Sequence, residues 1–563
     1  MLFYRGLLLF SFIFHFIFNK IKEKTLLLFC LFFFCSCFIT TICLFIYLIR
    51  FSCRNWFKGL NHVRVDNNST LYSCKFAAPT KCHMDVFSFI LDFSNIRKIN
   101  CKDLKPDFDT VQHVWMNYLS NKEDFIEDYK LLGFPLTNNK EYIFNKFESE
   151  QDFANKINEN LFFSNDTNAI NKINSEVFLI RNNEDSNVNI SLRYNHDLSK
   201  ERNKIINENN FQKLNNILFI YIDSLSRSHF FRKMKSVSHF FEKFNNKKNS
   251  TTNYESFQFL KYQTFKNDYY TSSIQTMLYN KTKNQNKNIQ NIHILSFLKR
   301  NGYITGQSAN ICSKEFFSYD FEKETNFFKN TLLEEYDHEN IAMFCDPFYF
   351  DDSKDKNPDS KYVKGINSSI KRCLYGKNSF EYVLEYGYQF WSKYKNNKRF
   401  LRLGFFDGNE KTGEVIKYLD SYLHDFLYKL YKENYLKDTI LFIVSGQGNI
   451  YTDFFNNDDF EDFLIEKYIG SLFIFVDKNN FSENNLKHIR INQQNMVTPY
   501  DIKETLLSIM YNNFPDETKK EEIKIEEFSQ KGKSLFNYIN SKERNCEKYK
   551  QTTEEVCRCH NFQ

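Results

Sequence analysis

Glycine and proline are scarce in this chain, at 15 and 7 of 563 residues. Phenylalanine, asparagine, lysine and isoleucine are abundant instead. This skew reads as nucleotide-composition bias, so runs of asparagine carry little weight. A concentrated charge of one sign is also missing. The net charge is +6 with acids and bases interspersed, and no focused basic patch offers a nucleic acid a footing, so none is expected as a partner. Paired CxxC motifs at zinc-finger spacing are absent, which argues against a structural zinc. The compact "CRCH" at Cys557–His560 falls short of four suitably spaced ligands. What remains is a long chain with 42% hydrophobic residues, enough for two or three domains and a large core.

Charge is missing altogether from Thr25 to Ile49, "TLLLFCLFFFCSCFITTICLFIYLI", a run of 25 residues. At about 1.5 Å rise per residue this exceeds the roughly 20 residues that cross a bilayer core, and a transmembrane helix is expected there. The shorter apolar stretch Gly6–Phe18 contains His15 and reads as a second span or a membrane-surface segment. No small-residue cleavage pattern follows either stretch, so a removed signal peptide is disfavoured. Lys20, Lys22 and Lys24 precede the main run, while Arg50, Arg54 and Lys58 follow it, so the charge bias is not clean. With Lys20–Lys24 cytosolic, everything after residue 50 is lumenal or extracellular. The expectation is a single-pass, or two-pass, membrane protein whose partner is the lipid bilayer.

The cysteines agree with that compartment. Nine lie beyond the span: Cys74, Cys82, Cys101, Cys312, Cys345, Cys373, Cys546, Cys557 and Cys559. Disulfides in an oxidising lumen suit them, with one left free or joined to Cys53. Sequons stand at Asn67, Asn68, Asn165, Asn189, Asn249, Asn280, Asn367 and Asn480. In so asparagine-rich a chain they are permissive of glycosylation and no more.

The texture changes along the chain. Residues 1–24 form a cytosolic or membrane-associated N-terminus, 25–49 the span, and 50–210 a polar, cysteine-containing stalk or lobe. From about residue 211, apolar runs such as "NNILFIYIDS", "RFLRLGFFDGN", "DTILFIVSGQG" and "GSLFIFVDK" alternate with helix-like segments. In one of these Val415, Ile416, Leu419, Leu423, Phe426, Leu427 and Leu430 recur at helical spacing. The alternation predicts an α/β fold with a mostly parallel sheet over 211–545, followed by a Cys-rich tail at 546–563. Ligands of such sheets bind at the carboxyl ends of the strands. Asp223 and Ser224 end the first strand, as a metal-ligating carboxylate or as a helix cap. Thr271, Ser272 and Ser273 place hydroxyls ahead of Ile274, Met277 and Leu278, as a nucleophile or as caps.

In order, the blocks "ILFIYIDSLSR", "SFQFLKYQT…YTSSIQTMLYN", "FLKRNGYITGQSAN", "AMFCDPFY", "TGEVIKYLDSYLHDFL", "DTILFIVSGQG" and "NQQNMVTPYDIKETLLSI" resemble the alkaline-phosphatase-like, sulfatase-related superfamily. More narrowly they resemble its domain-of-unknown-function-229 branch, which has nematode and protist members. The tail "RNCEKYKQTTEEVCRCH" is similar to that branch as well. The resemblance implies an α/β sandwich with a central mixed, mostly parallel sheet, acting on phosphate or sulfate esters. It implies a metal ligand at Asp223 and a nucleophile at Thr271, with Ser272 as the alternative in register. "TSSIQ" lacks the proline and arginine of sulfatases proper, so an oxidised-cysteine mechanism is not supported.

The chain departs from the family pattern where the branch carries Ser-Asp-His-Gly. Here it reads Ser445-Gly446-Gln447-Gly448, so Gly446 and Gln447 mark lost ligands. Asn409, before Glu410, stands at the position of a further histidine. Asp407, Glu410, Asp453, Asp458 and Asp459 are the residues from which a shell could be rebuilt. Two surviving ligand positions do not make a tight site. The leading expectation is a catalytically degenerate, membrane-anchored domain that binds a glycan, an anionic ester or a protein, with no cofactor. The alternatives are an active ester hydrolase or transferase using zinc, manganese or calcium in a rebuilt shell, and a structural surface glycoprotein.

Overall fold

The computed structural model describes mainly residues 186–208, 215–244, 252–264, 273–283, 289–311, 336–345, 376–409, 413–448, 460–511, 532–546 and 557–560. Shorter described pieces are 32–43, 75–76, 130–134, 162–164, 176–181 and 373–374, with Leu60 and Cys101.

A seven-stranded sheet organises the domain. In chain order its strands are β1 (Asn216–Ile222), β2 (Tyr254–Gln258), β3 (Ile304–Ala309), β4 (His338–Asn340), β5 (Arg399–Phe405), β6 (Thr439–Val444) and β7 (Leu472–Asp477). In space the order is β4-β3-β5-β1-β6-β7-β2. β4, β3, β5, β1 and β6 are parallel, and β7 runs antiparallel between β6 and β2. The fold is thus α/β with a mixed, mostly parallel sheet. Every residue of β1, β5 and β6 is buried, which is why these strands read as continuous apolar runs rather than alternating ones.

The helices that matter here are α1 (His196–Glu208), α2 (Arg227–Lys233), α3 (Lys235–Phe244), α4 (Ser379–Lys393), α5 (Lys417–Lys432), α6 (Phe460–Tyr468) and α7 (Pro499–Tyr511). α5 carries the periodic stripe: Leu419, Leu423, Phe426, Leu427 and Leu430 are all buried, as are Val415 and Ile416 just before it. Phe241 of α3 stacks on Phe473 of β7 at 5.3 Å, and Phe244 meets Phe475 edge-on at 5.0 Å. Each such ring contributes roughly 1.5–3 kcal/mol by leaving water.

The segment ahead of the sheet is tied to it. Residues Val177–Arg181 and Ser186–Ile190 belong to a small antiparallel sheet with Lys130–Phe134 and Phe162–Ser164. Glu176 at its edge bonds Nδ1 of His338 on β4 at 2.9 Å and accepts the Tyr386 hydroxyl at 2.9 Å. At the other end of the chain, Cys546 and Cys557 form a disulfide. Cys101 and Cys559 each take part in a disulfide too. Cys559–His560 pairs antiparallel with Lys75–Phe76. Beside this knot, Arg544 grips Asp501 of α7 through two hydrogen bonds of 3.0 and 2.9 Å.

Residues 32–43, inside the run expected to span a membrane, are α-helical, with Phe32, Phe34, Phe38, Ile39 and Ile42 exposed. The rest of 25–49, and Gly6–Phe18, lie outside the described residues. Among the described residues no helix is long and apolar enough to cross a membrane.

Candidate functional site

Sheet topology brings three of the sequence blocks together. β1 is flanked by β5 and β6, with Ile222 opposite Phe405 and Tyr221 opposite Val444. The residues that follow these strands, Asp223-Ser224, Phe406–Asn409 and Ser445–Gly448, are therefore neighbours at one end of the sheet. Asp223 continues the ladder, donating its N–H to the Phe405 carbonyl at 2.8 Å. Ser224 turns the chain in the left-handed region, at φ 55. That conformation is uncommon for serine and typical of tight functional turns. The helix that follows is capped by Ser226, whose side chain accepts from the His229 N–H at 3.0 Å, so Asp223 is not the cap.

Asp223 is buried. Its Oδ1 accepts the Tyr221 hydroxyl at 2.9 Å and its Oδ2 the Ser224 hydroxyl at 3.2 Å. Removal from water pushes its pKa up, and the two hydroxyls offset only part of that. Tyr221 sits two residues before Asp223 on the same strand, so both side chains leave the sheet on the same face.

Tyr221 also explains the glycine. A Cβ placed on Gly446 would lie 2.0 Å from the Tyr221 hydroxyl oxygen and 2.9 Å from its Cζ. No side chain fits position 446 while that ring stays where it is. On the other side, Gly408 lies so close that a Cβ there would come within 2.4 Å of the Asp223 carbonyl. Ser445 works within the backbone: its N–H bonds the Ser471 carbonyl at 2.9 Å and its Oγ accepts the Ser471 N–H at 2.7 Å.

The other sequence candidates are placed as follows. Gln447 is buried, and Asn409 is half-buried, with an Oδ1 that accepts no hydrogen bond among the described residues. Asp407 accepts Nδ2 of Asn310, the residue after β3, at 2.8 Å. Thr271, Ser272, Glu410, Asp453, Asp458 and Asp459 lie outside the described residues. Ser273 is described and buried, and its hydroxyl makes no hydrogen bond among the described residues. Of the sequons, Asn189 is exposed on its strand. Asn480 spends its Nδ2, the atom a glycan would join, on Oδ1 of Asn215 at 2.9 Å. Asn280 lies in a strand, and Asn67, Asn68, Asn165, Asn249 and Asn367 fall outside the described residues. Of the cysteines not yet placed, Cys74, Cys82 and Cys312 fall outside as well, while Cys345 and Cys373 are described in backbone only.

Sequence reasoning missed a polar layer just behind the turn. Arg232 of α2 forks onto Glu466 of α6 at 3.0 and 2.8 Å, and the Ser226 hydroxyl joins the same carboxylate at 2.6 Å. His229 is bonded through Nε2 to the Gly413 carbonyl at 2.5 Å and accepts Arg232 Nε at Nδ1 at 3.2 Å. The carbonyl can only accept, so the proton sits on Nε2. Burial and then the neighbouring Arg232 charge push the His229 pKa down to about 3, so the ring is neutral. Lys233 and Glu414 form a buried ion pair at 2.7 Å. The only signal was the cluster of charge in "LSRSHFFRKM" and "TGE", which reads equally well as a solvated surface.

A divalent ion is implied by the resemblance, and the described residues do not fit one. No group of three or more His, Cys, Asp or Glu among them converges on a point where an ion could sit. The Asp223 carboxylate has both oxygens engaged by hydroxyls, and the space a side chain at residue 446 would take is filled by the Tyr221 phenol.

Residues 356–563 match the family model described as "Protein of unknown function (DUF229)". No curated protein matches the chain. Among solved structures, the zinc complex of the C-terminal periplasmic domain of EcEptC from Escherichia coli is 11% identical. The alignment covers 58% of this chain and 88% of that one, with a TM-score of 0.35. The lipoteichoic acid synthase LtaP from Listeria monocytogenes is 14% identical over 55% of this chain and 78% of that one, TM-score 0.31. The phosphoglycerol transferase GacH from Streptococcus pyogenes, in complex with sn-glycerol-1-phosphate, is 12% identical over 58% and 89%, TM-score 0.27. Residues 356–563 are thus similar to the DUF229 family, the branch that the ordered blocks of this chain resemble.

Proposed function

We propose that the chain is a membrane-anchored protein with a lumenal or extracellular sulfatase/alkaline-phosphatase-like domain that binds its ligand and does not cleave it. The observation that carries this reading is the state of Asp223. It stands at the one metal-ligand position that the "IDS" and "SGQG" blocks retain, and both its oxygens are taken by the Tyr221 and Ser224 hydroxyls. A divalent cation gives up hydration when it binds, and anionic or imidazole ligands must replace it. Gly446 brings no side chain and Gln447 only a neutral amide, so that loss goes uncompensated. Ester chemistry of this class relies on the ion to gather charge from the transition state.

The compartment is supported by the uncharged 25-residue run and by the disulfide between Cys546 and Cys557, a bond that persists in oxidising surroundings. The ligand classes consistent with the family's ester sites are a glycan, an anionic ester or a protein displaying one. Detergent-purified full-length chain, analysed for zinc, manganese and calcium and assayed on phosphate and sulfate esters, tests the reading. The expected result is sub-stoichiometric metal and no hydrolysis above background. Stoichiometric metal with turnover abolished by Thr271→Ala would overturn it in favour of a rebuilt active site.

A further inference from the structure

We infer that Tyr221 is the residue that closes the metal position, supplying Asp223 with a hydroxyl proton where a ligated site would supply a cation. The inference deepens the non-catalytic reading and rests on it. Two distances carry it. The Tyr221 hydroxyl oxygen is 2.9 Å from Asp223 Oδ1, and it is 2.0 Å from where a Cβ on residue 446 would begin. The oxygen therefore occupies the space that a side chain at residue 446 would need to reach the retained carboxylate. Its proton points at the carboxylate, the only arrangement in which the phenol donates and the carboxylate accepts.

The pair Tyr221 and Gly446 is then a single device. With the ring in place, position 446 tolerates only glycine, because a 2.0 Å approach of carbon to oxygen is far inside van der Waals contact. Removing the hydroxyl alone does not reopen the position, since the ring carbons Cζ and Cε2 would still stand 2.9 and 3.1 Å from the new Cβ. Tyr221 is held by its place in the fully buried β1 and by the Phe406 ring 5.9 Å away, so it cannot swing clear without repacking the sheet. Ligand loss at residue 446 is thus locked in by a second residue, and reinstating Asp and His in the "SGQG" block leaves the site closed.

The test is a coupling experiment on the full-length chain. Thermal unfolding is compared for wild type, Gly446→Ala, Tyr221→Val and the double variant. Gly446→Ala is expected to lower the unfolding midpoint by several degrees when Tyr221 is present, and by less than half as much in the Tyr221→Val background. An equal loss in both backgrounds would overturn the steric half of the inference. Zinc retained after desalting is then measured for Gly446→Asp/Gln447→His with and without Tyr221→Val. Retention is expected only when Tyr221 is removed; retention by both, or by neither, overturns the ion-position half. Wild-type chain that itself holds zinc and hydrolyses esters sinks the non-catalytic reading, whereas uncoupled Tyr221 and Gly446 effects sink this inference alone.

Discussion

Asp223 and Asp501 are both buried in the same domain, and they keep different company. Asp501 is fully buried and meets a guanidinium, with Arg544 donating to both its oxygens. It also accepts the N–H groups of Thr498 and Lys533, each at 2.8 Å, and the Thr498 hydroxyl at 3.0 Å. Asp223 has two neutral hydroxyls and, among the described residues, no cation. A carboxylate that serves the architecture comes with its counter-charge in the chain. Asp223 lacks such a counter-charge among the described residues, and the phenol of Tyr221 is what this chain offers in its place.

The comparison breaks most visibly at Arg544. Arg544→Ala leaves Asp501 charged, buried and unpaired, and should cost about 3–5 kcal/mol in denaturant unfolding. A loss under about 1 kcal/mol would mean that the backbone N–H groups suffice and that the contrast with Asp223 is one of degree.

A second, smaller effect sharpens the contrast through pH. His229 has a folded pKa of about 3 against an ordinary 6.5. Between those values the unfolded chain takes up a proton that the folded chain refuses, so stability is lost as pH falls below about 6.5. Glu504, pushed up to about 7 by burial, acts with the opposite sign, its contribution being lost as pH rises from 4.5 towards 7. His229→Gln isolates the first. Near pH 5 the wild type should lose up to about 1.4 kcal/mol per pH unit more than the variant. Parallel pH profiles would show that burial and the Arg232 charge do not hold His229 neutral.

The smallest effect is expected at Asp223 itself. Its pKa is raised, so whatever it contributes is complete below its ordinary value and is lost as pH rises through the folded one. Asp223→Asn keeps an acceptor for Tyr221 and removes a charge that burial penalises. Stability at pH 7 should change by less than about 1 kcal/mol, and towards greater stability if it moves at all. A loss comparable to that of Arg544→Ala would mean that Asp223 is a paired structural anion after all.

Much of the scaffold was legible. β1, β5, β6 and β7 stand out as apolar runs because both faces of each are covered, and the α5 stripe follows from helical spacing. The placement of Asp223 beside "SGQG" followed once a parallel sheet was assumed. The role of Tyr221 was hidden by that same burial. In "NILFIYIDS" it looks like one more core aromatic, and only the strand's period of two hints that it shares a face with Asp223. Gly446 read as a lost ligand. The space it leaves is a property of its neighbour, which no single block of sequence can express. The Arg232–Glu466 and Lys233–Glu414 pairs were illegible for a related reason, since each joins residues far apart in the chain.

The pairing of Lys75–Phe76 with Cys559–His560 sets a timetable. Almost the whole chain separates the two partners. A ribosome adds roughly 5–20 residues each second, so the earlier strand waits on the order of half a minute or longer for its mate. The Cys546–Cys557 bond, too, has no second sulfur until residue 557 is made. Anything that interrupts synthesis before residue 559 therefore leaves an early strand edge uncovered, far from the place where the interruption occurred.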